Sequence, residues 1–244
     1  MSGKKARFFA TTLSIATVFL MVAAYLTRGT GRRSDTAVTV EERTPPPTIT
    51  RAELDEAFLN AVRSHPRREI SEGLYGKLKD KTIRYSFDIE PSEASASFVV
   101  LSGANVVPPQ DAGVRIPALY IQPDIVADSR KDLRGLRELQ SVLFHEYQHY
   151  VQWSSATDGT TQFDFGSKRL RRGDCLALWR NELLAYLAQC ELDKEQAWES
   201  SMPRLCEAFG DPTLFKSRLF ERLSMPAQRL GYLECVDTWR DGLL

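Results

Sequence analysis

The chain of 244 residues has little histidine, no excess of either charge and no cysteine in its first two thirds. Its 32 basic and 32 acidic residues balance. This argues against a nucleic-acid-binding protein, because such a protein carries a basic stripe that faces the phosphates. No internal repeat is visible, so the chain is not an array of similar units. Apolar residues make up 43% of the sequence, and this share, together with the length, predicts one folded domain with appendages.

Charged residues are absent from residues 8–26, FFATTLSIATVFLMVAAYL. As a helix this segment would span about 28 Å, close to the thickness of the bilayer hydrocarbon core. We therefore expect a transmembrane anchor that follows a short basic segment, residues 1–7. The alternative is a cleaved signal, because residues 22–24 are small. Residues 27–49 contain Gly, Arg, Thr and three consecutive prolines and are predicted to form a flexible linker.

Residues 50–244 are predicted to form the folded domain. Thr50 and Glu53 make a capping box at the start of a helix that runs to about residue 64. Segments rich in β-branched and aromatic residues predict a small mixed sheet, with strands near residues 83–89, 97–101 and 118–126. Helical patterns follow near residues 131–153, 174–199, 203–209 and 212–223. The predicted fold class is α+β, with a mainly helical C-terminal part.

The first long helical pattern contains the motif His-Glu-x-x-His, formed by His145, Glu146 and His149. Residues four apart lie on one helix face with Cβ atoms about 5–6 Å apart, so the two imidazoles can bind one tetrahedral ion. Glu146 lies between them around the helix, where its carboxylate can act as a base without ligating the metal. Two core histidines are the alternative, but buried imidazoles without an ion would need two separate sets of partners.

The segment VLFHEYQHYV resembles the active-site helix of the zincin metallopeptidases. Val142 stands three positions before the first histidine, the intervening positions are uncharged, and the hydrophobic Val151 follows. The resemblance covers residues 131 to about 190. It implies a zincin-like fold, one zinc ion, and hydrolysis of peptide bonds by a zinc-activated water with Glu146 as the general base.

A catalytic zinc usually takes three protein ligands. The third histidine, His65, is expected to have a solvated role at a helix end. The gluzincin branch of the zincins instead uses a glutamate from a following helix, and residues 179–191, WRNELLAYLAQCE, resemble that helix. This resemblance predicts Glu182 as the third ligand, with a solvent-exposed Glu182 as the other interpretation. Glu191 and Glu195 are the alternative ligands.

Tyr186 follows Glu182 by four residues and shares its helix face. Its hydroxyl is a candidate donor to the oxyanion that develops during hydrolysis. The alternative is that Tyr186 only packs in the core, as aromatic residues at helical spacing commonly do.

Residues 114–126, VRIPALYIQPDIV, resemble the zincin strand that borders the cleft and binds an extended substrate through its backbone. Pro117 and Pro123 suit an edge strand, because proline cannot donate to a sheet ladder. An interior strand is the alternative.

All four cysteines follow the motif, and an even number in an exported domain fits two disulfides. A single helix over residues 174–199 would separate Cys175 from Cys190 by about 22 Å, so these two cannot bond. The return of the chain brings Cys206 near Cys190 and leaves Cys175 to pair with Cys235. Oxidised cysteines predict a domain outside the cytoplasm, periplasmic or extracellular, or secreted if the N-terminal segment is cleaved.

Together these observations predict a membrane-anchored zinc metallopeptidase that acts on a peptide or protein substrate. One alternative is a zinc-binding pseudo-enzyme or envelope interaction module without turnover. Another is a zinc amidase that acts on cell-envelope material, because a zinc-activated water attacks esters and amides in general. Glu146 favours catalysis, since a module that only binds zinc would not need it. The sequence indicates neither an oligomeric state nor a specificity pocket.

Overall fold

The computed structural model describes residues 49–87, 95–102, 114–155, 172–224 and 235–243. The predicted basic segment, the predicted anchor and all but the last residue of the predicted linker lie outside these ranges. Within them, no helix combines the length and the apolar character that a bilayer crossing requires.

The first helix, α1, spans Arg51–Arg63 and begins where the capping box predicts. The Thr50 hydroxyl accepts a hydrogen bond from the backbone N–H of Glu53 at 3.3 Å, and the Glu53 carboxylate accepts one from the backbone N–H of Thr50 at 2.8 Å. These bonds satisfy two N–H groups that a helix start leaves without partners. A π-helical turn, Glu69–Leu74, and a short helix α2, Tyr75–Lys79, lead to the sheet.

The sheet has three strands: β1 (Arg84–Ser86), β2 (Ala96–Ser102) and β3 (Arg115–Ile121). Their order is β1-β3-β2, with β1 parallel and β2 antiparallel to β3. The predicted small mixed sheet is confirmed, and so is the α+β class. The strand predicted to run to residue 126 ends at Ile121, because Pro123 begins helix α3, Pro123–Asp128.

β3 lies between the other two strands, so the edge-strand interpretation of this segment is wrong and the interior one is confirmed. Pro117 is tolerated there for a geometric reason. It stands opposite Val100 of β2. Two residues earlier on β2, Phe98 gives its N–H to Glu146, so Phe98 and its partner in β3 do not bond to each other. Bonded and non-bonded pairs alternate along an antiparallel ladder, so Val100 and Pro117 form a non-bonded pair as well. The parallel pairing with β1 begins only at Ala118, so the missing N–H removes no ladder bond.

Five helices follow: α4 (Leu133–Ser155), α5 (Arg172–Glu195), α6 (Pro203–Glu207), α7 (Pro212–Leu223) and α8 (Val236–Leu243). The mainly helical C-terminal part is therefore confirmed. α5 ends about four residues earlier than predicted. The physical reason is the backbone of Ala197, which takes the left-handed φ of 51° that terminates helices.

Two hydrophobic clusters hold these elements together. The first lies between the sheet, α1 and α4 and includes the fully buried Phe58, Leu119 and Leu143. The second lies between α5 and the C-terminal helices and includes Phe215 and Trp239. α4 packs into the first cluster, and α5 contributes to both, since its Leu192 is buried in the first.

Two disulfides tie α5 to the segments that follow it. Cys190 bonds to Cys206 in α6, and Cys175 bonds to Cys235, just before α8. The Cα–Cα distance is 5.1 Å in both. The predicted pairing is confirmed, because the long helix keeps Cys175 and Cys190 apart as its rise requires.

Candidate metal centre

Three buried side chains converge at the interface of α4 and α5. His145 and His149 come from one face of α4, and Glu182 comes from α5. The two Nε2 atoms lie 3.2 Å apart. Glu182 directs one carboxylate oxygen to each ring, at 3.6 Å from the Nε2 of His145 and 3.5 Å from the Nε2 of His149. The predicted ligand residues are thus brought together, and the exposed interpretation of Glu182 is wrong.

The spacing of the three donors fits a metal ion. An ion about 2.1 Å from each donor, with tetrahedral angles, separates the donors by about 3.4 Å. The two Nε2 atoms lie 3.2 Å apart, close to that value, and each has a different oxygen of Glu182 at 3.5 or 3.6 Å. With one ligand atom taken from each residue, the three donors lie within 4.8 Å of one another. Two imidazole nitrogens and one carboxylate oxygen are also donors that suit divalent transition metals. The three residues are therefore a candidate site for one ion.

The ring of His149 is fixed by a hydrogen-bond relay. Gln152, one turn later on α4, donates from its amide nitrogen to the backbone carbonyl of Asn181 at 3.1 Å. Its amide oxygen then faces the Nδ1 of His149 at 3.1 Å and accepts the proton carried there. This assigns the proton to Nδ1 and turns the lone pair of Nε2 toward the centre, as metal-ligating histidines require. For His145, the buried Nδ1 has no hydrogen-bond partner among the described residues.

Glu146 lies beside the three ligand residues but outside their cluster. Its side chain is buried, and one carboxylate oxygen accepts a hydrogen bond from the backbone N–H of Phe98 at 2.7 Å. Burial raises the pKa of Glu146 to about 7, and the charge of Glu182 adds to the rise, while His149 and the Phe98 N–H oppose it. Through the Phe98 N–H, the backbone of the edge strand β2 orients this carboxylate.

Tyr186 packs its ring against His145, with ring centres 4.3 Å apart, so the predicted packing is confirmed, while its role as an oxyanion donor stays a prediction. Its hydroxyl oxygen accepts a hydrogen bond from the Nε–H of Arg222 at 3.3 Å. Burial, followed by the charge of Glu182, raises the pKa of Tyr186 to about 12. The hydroxyl is therefore protonated at neutral pH and keeps its own proton for donation.

A cavity of about 220 Å³ opens beside the cluster. Its wall includes residues from the sheet edge, from α4, from α5 and from the C-terminal helices: Ser95, Ala96, Glu138, Val142, His145, Glu146, Tyr186, Gln189, Ser201, Met202 and Arg222. Glu146 and Tyr186 thus line one space together with His145, one of the three candidate ligands.

His65 does not have the solvated role expected of it. It is only 4% exposed, with its Nε2 at 3.1 Å from the backbone carbonyl of Gln140 and its Nδ1 accepting from the backbone N–H of Arg67 at 3.0 Å. Burial lowers the pKa of His65 to about 4. It is a neutral core histidine outside the ligand cluster.

The alternative ligands lie outside the site as well. Glu191 is exposed on α5, and Glu195 pairs with Arg67 near the end of that helix. Neither belongs to the cluster of potential ligands found in the described part of the chain.

Sequence reasoning missed three residues of this site. Gln152 carries a local signal, because it follows His149 by three residues on the same helix. Phe98 contributes only its backbone N–H, which leaves no signal in the sequence. Arg222 stands 36 residues after Tyr186, and only the packing of α7 brings it to the cavity.

The chain was compared with protein-family models, with curated protein sequences and with solved structures, and none of the three comparisons found a match. The function of the site must therefore be argued from its own geometry.

Proposed function

We propose that this chain is a zinc-dependent peptidase of the zincin type, with a gluzincin-like ligand set. The observation that carries the proposal is the grouping of His145, His149 and Glu182 as potential metal ligands, with Glu146 lining the same cavity as His145. The His-Glu-x-x-His motif accounts for the two histidines of this group, whereas Glu182 comes from a separate helix.

A catalytic site is favoured over a structural one by the number of ligands. Structural zinc sites usually have four protein ligands, whereas catalytic sites have three and keep one position open. The described residues contribute three, and His145 borders the 220 Å³ cavity through which a substrate can reach the centre.

His145, His149 and Glu182 would hold the zinc, which supplies a Lewis acid that polarises a carbonyl group and acidifies water. Glu146 removes a proton from the attacking water and passes it to the departing amine. The Phe98 N–H binds one oxygen of that carboxylate and leaves the other to take the proton, on a side chain that lines the cavity. Tyr186 donates its hydroxyl proton to the oxyanion, while Arg222 occupies the lone pair of the hydroxyl.

The proposal extends to location. The two disulfides support a domain in an oxidising compartment, because disulfides persist outside the cytoplasm. The uncharged residues 8–26 support an N-terminal membrane anchor. We propose a single-pass protein whose catalytic domain lies on the periplasmic or extracellular side.

The first test is the metal content of the full-length, detergent-solubilised protein. We expect about one zinc per chain, lost in His149→Ala and in Glu182→Ala because each change removes one of three ligands. Glu191→Ala is the matched control, since it removes an exposed carboxylate from the same helix as Glu182. Equal zinc in all variants would contradict the ligand set, and iron in place of zinc would contradict the proposed ion.

The second test is turnover, measured by mass spectrometry on a mixture of unstructured peptides. Glu146→Gln should keep its zinc and lose at least about 10²-fold in rate, the usual contribution of a general base. Unchanged cleavage by this variant would refute the mechanism. Zinc without cleavage by the wild type would favour the interaction module, and release of fragments from peptidoglycan alone would favour the amidase.

A further inference from the structure

We propose that the cavity beside the metal centre recognises a carboxylate of the substrate through the guanidinium group of Arg222. The inference rests on the proposed function and names its substrate class. That class is a peptide with a negative group near the cleaved bond, supplied by the free C-terminus or by an acidic side chain.

Arg222 lies in the last turn of α7 and is held against the site by Tyr186. Its Nε–H donates to the Tyr186 hydroxyl at 3.3 Å, and its guanidinium carbon lies 5.6 Å from the centre of the Tyr186 ring. That ring in turn packs against His145. One aromatic side chain therefore separates the cation from a metal-ligand residue.

The guanidinium of Arg222 makes no ion pair in the described part of the chain. No carboxylate lies within ion-pairing distance of it there, whereas Arg218, one turn earlier on α7, pairs with Glu221 at 3.1 Å. Arg222 is also the sole Lys or Arg among the described residues that line the cavity. A half-buried cation without a counter-charge is stabilised when an anion binds beside it.

The donors that remain on Arg222 suit a carboxylate. Its Nε–H is used by Tyr186, so the two terminal nitrogens are left to donate, and a guanidinium donates through parallel N–H groups to both oxygens of a carboxylate. Glu138 also lines this cavity and repels an anion, and it lines in addition a neighbouring cavity of about 160 Å³ whose lining does not include Arg222. Among the described lining residues, Arg222 is therefore the group that attracts a substrate carboxylate.

The test measures binding separately from cleavage. Zinc-loaded, full-length Glu146→Gln protein is titrated calorimetrically with two pairs of otherwise neutral peptides. One pair ends in a free acid or an amide, and the other pair is amidated and carries one internal Glu or Gln. We expect one of the pairs to bind with a preference of about tenfold or more for the acid, the usual range for a charge-assisted hydrogen bond. The pair that discriminates identifies the source of the carboxylate.

Adding Arg222→Gln should bring the ratio of affinities close to one, and Arg222→Lys should restore only part of it, because an ammonium cannot bind both oxygens in parallel. Arg218→Gln is the matched control and should keep the full preference. Zinc content verifies that each variant is folded. If Arg222 only orients Tyr186, its loss weakens both members of a pair equally, and an unchanged ratio overturns the proposal.

The two proposals fail in different ways. Cleavage by the wild type with equal affinities for acid and amide, or with no measurable binding of any probe, leaves the peptidase and overturns carboxylate recognition. Preference for the acid without cleavage by the wild type supports carboxylate recognition and contradicts the peptidase.

Discussion

The buried His65 predicts that the protein loses stability in mild acid. Its pKa is lowered from 6.5 to about 4 in the folded chain, first because burial disfavours the charged ring. Between these two pH values the unfolded chain binds more protons than the folded one, so the free energy of unfolding falls as the pH falls. The contribution of His65 is complete above pH 6.5 and is lost as the pH drops toward 4.

The size of the effect follows from the two pKa values. When the pH falls from 7.5 to 5.0, protonation of His65 in the unfolded chain lowers the free energy of unfolding by about 2 kcal/mol. At still lower pH the decrease approaches a limit of about 3 kcal/mol. A change of about 2 kcal/mol is a large fraction of the stability of an ordinary domain.

The assay is urea unfolding of the wild type and of His65→Gln at both pH values, with EDTA present so that metal release does not contribute. Glutamine does not titrate, and its amide can still donate to the backbone carbonyl of Gln140, to which Nε2 of His65 is bonded. We expect the stability difference between the two proteins to shift by about 2 kcal/mol in favour of the variant at pH 5.0. Parallel pH dependences, or an NMR titration of His65 with a pKa near 6.5, would refute the reasoning.

Two further predictions concern packing and metal affinity. Gly135→Ala should lower the free energy of unfolding by about 1–3 kcal/mol, because the new Cβ would lie 2.3 Å from the backbone oxygen of Asp128. Gly76→Ala, where the Cβ meets nothing within 4 Å, is the control, and thermal melts of equal midpoint would contradict the clash. Gln152→Leu should weaken metal binding by about 10- to 100-fold, because it removes the acceptor that orients the ring of His149. Metal affinity is measured by competition with a chelator, and an unchanged affinity would show that the hydrogen bond from His149 to Gln152 is dispensable.

Local features of this fold were predictable from the sequence. The capping box sets the start of α1 through contacts within four residues. The His145 and His149 pair depends only on helical periodicity, so its geometry follows once α4 is recognised as a helix. The placement of Glu182 was predictable through its resemblance to a second zincin helix, and the disulfide pairing through the rigid length of α5.

Long-range contacts account for what the sequence did not predict. His65 stands at a helix end, which favours exposure, yet it is buried by its bond to Gln140, which lies 75 residues later. The interior position of β3 depends on parallel pairing with a strand about 30 residues away, and no local pattern encodes such a pairing. Arg222 reaches the cavity only because the C-terminal helices pack on α5.

The relative position of α4 and α5 decides whether the candidate ligands meet, and a hydrogen bond on each side of the site fixes it. Toward one end, Ser141 of α4 donates to Asp193 of α5 at 2.7 Å. Toward the other, Gln152 donates to the carbonyl of Asn181 at 3.1 Å. Sliding either helix by one turn would break both bonds, and the buried Ser141–Asp193 pair alone would cost about 1–3 kcal/mol for each group left without a partner. The helices are thus held in the one register that sets Glu182 opposite both imidazoles. The candidate ligands are thus positioned before an ion binds, and such preorganisation favours high affinity.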